Sequence, residues 1–147
     1  MATTPRRYLR LSRRSIKTRF AYRFLRALKK LNKQKKPNSN RVKQYHRVKL
    51  AAYASMASAV GSKRAWSRAL LWKIRNRGLT RTLVKKRVDE ENPREETGFG
   101  CTNELRKLVP GGEVMNFYNL LDETADYIKC LSSQVQVMRN ILDLFSS

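Results

Sequence analysis

The stretch "NLLDETADYIKCLSSQVQVMRNILDLF", Asn119–Phe145, decides how this chain can fold. Leu121, Ile128, Val135 and Leu142 recur every seven residues, and Thr124, Leu131, Met138 and Phe145 follow three places behind them. Seven of these eight positions are apolar, the pattern of a helix built to lie along other helices. Leu120, Tyr127 and Ile141 widen the stripe beyond a two-stranded seam, as expected in a bundle. At ~1.5 Å per residue this predicts a helix about 40 Å long.

Just upstream, "CTNELRKLVPGG" places Cys101, Leu105 and Leu108 on one side of a short helix. Pro110, Gly111 and Gly112 end it, and "EVMNFY" reads as a loop. A helix of three turns at most cannot cover the apolar surface of the long one. Two sources of cover remain open: a second chain, or the chain's own N-terminal helices.

Those helices are legible too. Ile16, Phe20, Phe24, Leu28 and Leu31 lie on one face of a helix predicted over Ser15–Leu31, and "KKPNSN" stops it. A second pattern begins near Arg41 and puts Val42, Tyr45, Lys49, Ala52, Met56 and Ala59 on one side, until Gly61 and Ser62 break it. Its "AAYASMASAV" is rich in small residues and permits close helix approach. A third, shorter pattern spaces Trp66, Leu70 and Ile74 four apart, with Gly78 as its stop. Both tryptophans, Trp66 and Trp72, read as packing residues.

Charge divides the chain. Residues 1–88 hold 28 Lys and Arg and no acidic residue, whereas residues 89–147 hold five basic and eleven acidic ones. The front half therefore carries +28 and the back half −6, within a net +22. Such asymmetry points to a polyanionic partner or a nuclear address for the front half. "KKLNKQKK" (Lys29, Lys30, Lys33, Lys35, Lys36) and "KKR" (Lys85, Lys86, Arg87) are candidate nuclear localisation runs. An acid-free, Arg-rich start also has the look of an organelle transit peptide, but here the basic character continues for almost ninety residues.

Enzyme chemistry has no foothold. No paired carboxylate site, phosphate-binding glycine loop or metal cluster is present, and the one histidine, His46, has no Cys or carboxylate near it in sequence. Cys101 and Cys130 lack metal-ligand spacing and read as reduced thiols. No run approaches the ~18 apolar residues of a membrane span. No cofactor, small molecule or membrane is expected.

Short helix, "LVP", loop, then a long helix containing "LLDETADYIKCLSSQV" resembles the basic helix-loop-helix dimerisation fold over roughly Glu91–Met138. The front half, "RVKQYHRVKLAAYASMASAVGSKRAWSRALLWKIR", is similar to the N-terminal region of atypical plant helix-loop-helix proteins. In particular it resembles the group named as binders of the increased-leaf-inclination protein. The resemblance implies a protein that does not bind E-box DNA. It implies pairing with other helix-loop-helix proteins and restraint of growth, notably of brassinosteroid-controlled cell elongation.

The resemblance can be tried residue by residue. The family's base-reading Glu, nineteen residues before the proline of "LVP", falls on Glu91. The arginines that accompany it would stand at 92, 94 and 95, where this chain has Asn92, Arg94 and Glu95. The family's reading His falls on Arg87, an apolar helix position on Gly98, and a frequent Lys on Phe117. A helix carried through this stretch would pay about 3 kcal/mol for Pro93 and about 1 each for Gly98 and Gly100. Residues 89–96 also hold five acidic side chains against one basic, so phosphates would repel them. Sequence-specific DNA binding is not expected.

The expected architecture is all-α. It comprises a basic helical or disordered segment at 1–40, a basic helical region at 41–88, an acidic linker at 89–100 and a helix-loop-helix dimerisation region at 101–145. The expected dimerisation residues are Leu105, Leu108, Val109, Leu120, Leu121, Ile128, Leu131, Val135, Met138 and Leu142. The expected partner is a DNA-binding helix-loop-helix activator, held in a heterodimer and inhibited, with a homodimer as the other arrangement. The alternative function is non-specific nucleic-acid binding through residues 1–88, whose Tyr8, Tyr22, Tyr45, Trp66 and Trp72 are interleaved with Lys and Arg.

Overall fold

The computed structural model describes residues 15–34, 40–77 and 100–147. Five α-helices follow in order: α1 (Ile16–Lys33), α2 (Arg41–Val60), α3 (Ala65–Arg75), α4 (Gly100–Leu108) and α5 (Phe117–Ser146), with one 3₁₀ turn at Gly112–Val114. There is no strand among the described residues. The all-α architecture is the one the periodicity predicts. Lys35, Lys36, Gly78 and the acidic stretch 89–96 lie outside the described residues.

Local chemistry sets the boundaries. Ser15 caps α1 by accepting from the Thr18 N–H at 3.2 Å, and Asn40 caps α2 by accepting from the Val42 N–H at 2.9 Å. Gly61, at φ +84°, closes α2 in the left-handed region. Asn116 accepts from the Asn119 N–H at 2.8 Å. That cap starts α5 at Phe117, two residues before the predicted start at Asn119.

α1 and α2 form the main helix pair, α3 packs on α2, and α5 lies against all three. Their shared core holds Phe20 and Phe24 of α1, stacked at 5.4 Å, with Ala52, Met56, Ala57 and Ala59 of α2 and Trp66 of α3. From α5 come Leu120, Cys130 and Val137. The second pattern's predicted face is only half right. Val42 and Tyr45 are exposed, and the buried face is Ala52, Ser55, Met56, Ala57 and Ala59. Small side chains decided the orientation, because alanines let the backbones approach where aromatics at the helix start would hold them apart.

α4 has the turn that follows it as its chief neighbour. The Arg106 guanidinium donates to the carbonyls of Gly112 and Met115 and ties the helix end to the turn. "PGG" is demanded by space as well as by turn chemistry. Gly111 sits at φ +78°, and a Cβ there would stand 2.8 Å from the Ala69 Cβ on α3. A Cβ on Gly112 would meet the Arg106 carbonyl oxygen at 2.6 Å. Through these contacts the turn rests on α3.

Truncating the core should therefore cost far more than truncating the mispredicted face. Phe24→Ala is expected to lose about 3–5 kcal/mol and Tyr45→Ala no more than about 0.5, read from urea unfolding of the full chain. Equal losses would contradict the observed orientation of α1 and α2.

Candidate interaction surface of the C-terminal helix

α5 carries two different surfaces. Its inner face buries Leu120, Glu123, Thr124, Cys130, Gln134 and Val137. Tyr127, Leu131, Met138 and Ile141 pack beside them, half-buried. The Thr124 hydroxyl donates back to the Leu120 carbonyl, so that buried oxygen is satisfied within the helix. Near the C-terminal half, Lys17 of α1 donates to Gln136 at 2.8 Å.

A polar lock joins this face to the start of α3. Arg64, the residue preceding that helix, has no side-chain capping bond of its own to offer. The cap comes from α5 instead: buried Glu123 accepts from the Trp66 backbone N–H at 2.9 Å. Asp126 accepts from the Trp66 indole N–H, also at 2.9 Å. Arg64 Nη1 reaches Asp122 at 2.6 Å, and its Nε lies 3.5 Å from Asp126. The hydrogen bond to Asp122, with the charges of Asp126, Asp122 and Glu123, outweighs desolvation and holds the Arg64 pKa above its ordinary value. The Trp66 ring lies 4.9 Å from the Tyr127 ring. Burial, with a smaller contribution from Tyr53, pushes the Tyr127 pKa up.

The outer face has no such cover among the described residues. Leu121 is 45 % exposed, Ile128 56 %, Val135 47 % and Leu142 65 %. These four span about 32 Å of helix at ~1.5 Å per residue. Val114, Phe117 and Tyr118 extend the apolar surface at one end, and Leu144 and Phe145 at the other, all exposed. Singly exposed apolar residues are ordinary, but a series of this length along one helix makes the face a candidate association surface. Ile128, Leu131 and Val135 also line a shallow groove together with Ser132, Gln136, Arg139, Asn140 and Asp143. It presents apolar and polar side chains side by side.

The expected dimerisation residues thus separate into two sets. Leu108, Leu121, Ile128, Val135 and Leu142 are exposed, whereas Val109 and Leu120 are buried and Leu105, Leu131 and Met138 half-buried. The seven-residue count could not divide them, because Leu120, Tyr127, Cys130, Val137 and Ile141 form a second apolar stripe beside the first. Sequence reasoning missed Arg64, Glu123 and Asp126. Their one visible signal was the acidic D-E-x-x-D spacing on the long helix, opposite an all-basic front half. Of the localisation candidates, Lys29, Lys30 and Lys33 are exposed at the end of α1. Lys35, Lys36, Lys85, Lys86 and Arg87 lie outside the described residues. No group of residues suited to a metal ion occurs among the described residues. No helix among them is long and apolar enough to cross a membrane.

Residues 13–78, covering α1 to α3, match the family described as IBH1-like, N-terminal domain. "Transcription factor IBH1" of Oryza sativa subsp. japonica is 38 % identical over 160 residues, covering 86 % of this chain and 77 % of the relative. The protein of the same name from Oryza sativa subsp. indica is 36 % identical over the same shares. "Transcription factor bHLH146" of Arabidopsis thaliana is 36 % identical over 126 residues, covering 79 % of this chain and 75 % of the relative. No solved structure matches.

The two thiols report on the inner face directly. Burial, with Asp126 nearby, pushes the Cys130 pKa up to about 11, while Cys101 is exposed. At pH 8 only about one Cys130 in a thousand would be thiolate, and thiolate is the reactive form. A chromogenic disulfide reagent should therefore label one thiol quickly and the second only on unfolding. Cys101→Ser should remove the fast phase. Rapid labelling of both thiols in the native protein would contradict the burial of this face.

Proposed function

The chain belongs to the IBH1-like family of transcription factors, and from that premise we propose that it regulates transcription by capturing other helix-loop-helix proteins rather than by reading DNA. The observation that carries this reading is the exposed register of Leu121, Ile128, Val135 and Leu142 along a helix already held in place by its other face. A partner helix covering these side chains gains about 1.5–3 kcal/mol for each large one fully buried. Because α5 is folded beforehand, less of that gain is spent on ordering it.

The captured protein is an activator that grips DNA with two basic helices, one from each member of its dimer. In the mixed dimer the acidic residues of 89–96 stand in sequence where the second basic region belongs. The pair loses a half-site and much of its phosphate neutralisation, which weakens DNA binding steeply at physiological salt. Acting in the nucleus, the chain lowers the amount of competent activator. The process we propose it restrains is cell elongation under brassinosteroid control, the role that the family resemblance implies.

Ile128 is the residue to test, because it is exposed in the free chain and central in the stripe. Ile128→Asp should abolish pairing with a helix-loop-helix activator in a purified binding assay while leaving the helix content and unfolding midpoint of the free chain unchanged. Leu120→Asp, at a fully buried position, should lose the fold itself. Normal pairing by Ile128→Asp would sink this mechanism.

A further inference from the structure

A second surface lies between α1 and α2, on residues that the α5 stripe does not use. An open groove of about 740 Å³ runs between the two helices. Arg19, Arg23, Arg26 and Lys30 line it from α1. Spaced by four, three and four residues, they share one face of that helix over about 16 Å at ~1.5 Å per residue. None of the four makes an ion pair with a carboxylate among the described residues. The Arg19 Nε–H is buried and lacks an acceptor there, and an unmet buried donor is costly. Four like charges at this spacing repel one another as well. An anionic occupant would relieve both costs.

The groove's other lining decides which anion. Ala27 of α1 and Ala51 and Ala54 of α2 are small and apolar, and Ser58 follows one turn on. Such positions allow a helix backbone to approach closely and seat aliphatic side chains. A phosphate backbone would use the cations and the hydroxyls of Thr18, Ser55 and Ser58 but would leave the alanines uncovered, since its contacts are with charge and hydrogen-bond donors. We propose that this groove is a docking site for an acidic amphipathic helix of a partner protein. Its apolar side lies on the alanines and its carboxylates face Arg19, Arg23, Arg26 and Lys30. Charge complementarity supports this occupant, because residues 1–88 contain no acidic side chain to compete for those cations. The site would let one molecule hold a helix-loop-helix partner on α5 and a second acidic segment on α1 and α2.

The test uses the full chain at ~150 mM salt, where bare surface attraction is screened beyond ~8 Å. Two labelled probes of equal charge are compared by fluorescence anisotropy: a peptide helix with leucines on one side and glutamates on the other, and a single-stranded oligothymidylate. Arg23→Glu with Arg26→Glu should weaken peptide binding at least about tenfold, because like charges then face the carboxylates. Ser58→Met fills the trough while leaving every charge in place and adding no ring on which a base could stack. It should weaken the peptide by a similar factor and leave the oligonucleotide unchanged. Ala54→Leu serves the same purpose as a gentler filling, and helix content and unfolding midpoint confirm that each variant is folded. Ile128→Asp should bind the peptide normally, which separates this groove from the α5 stripe. Peptide binding untouched by both trough-filling variants, or an oligonucleotide bound more tightly than the peptide, would overturn the proposal.

Discussion

Much of the structure depends on one polar junction, the docking of the α3 N-terminus onto the acidic turn of α5. The first N–H groups of a helix have no partners within it, and Arg64 supplies no capping side chain. Glu123 fills that need from 57 residues away by accepting from the Trp66 backbone N–H, Asp126 accepts from the Trp66 indole N–H, and Arg64 pairs with the acidic cluster. Glu123 is buried, and the Trp66 N–H and the Arg64 guanidinium are its polar partners. A buried carboxylate deprived of such partners is strongly destabilising. The junction adds directional contacts to the apolar burial that holds α5.

Those contacts and that burial explain how α5 can be both structural and available. Together they hold the helix with Leu120, Cys130 and Val137 turned inward. Ile128 and Val135, on the neighbouring stripe, turn outward. A free amphipathic helix would have to fold when it meets a partner and would lose part of its binding energy to that ordering. Here α1 to α3 have met that cost within the chain. In the function we propose, the N-terminal helices matched by the IBH1-like domain are the scaffold on which α5 displays its exposed stripe.

Helix existence was legible because period and punctuation agreed. The Phe20–Phe24 face, the Gly61 stop and the heptad series each carried both signals. The start of the α2 face was misread because Val42 and Tyr45 carry more apolar area than an alanine, while close approach favours the alanines. Ala52, Met56 and Ala59 of the same predicted face are buried. The site was half legible for a related reason. A seven-residue repeat marks a helix with something to bury but cannot say how many neighbours bury it, and α5 has stripes for two. The Arg64 junction was hidden because it is a long-range pairing of ordinary surface residue types. Its partners are contiguous only after folding.

The central claim is that the chain's own N-terminal helices hold α5 before any partner arrives. Amide hydrogen exchange of the full chain, alone and saturated with a helix-loop-helix partner, measures this directly. The account predicts that amides over residues 120–138 are already slowed at least about a thousandfold in the free chain, corresponding to an opening cost of ~4 kcal/mol. Partner binding then adds protection to a helix that is already formed. Exchange over 120–138 at the rate of an unstructured peptide until the partner is added would contradict it.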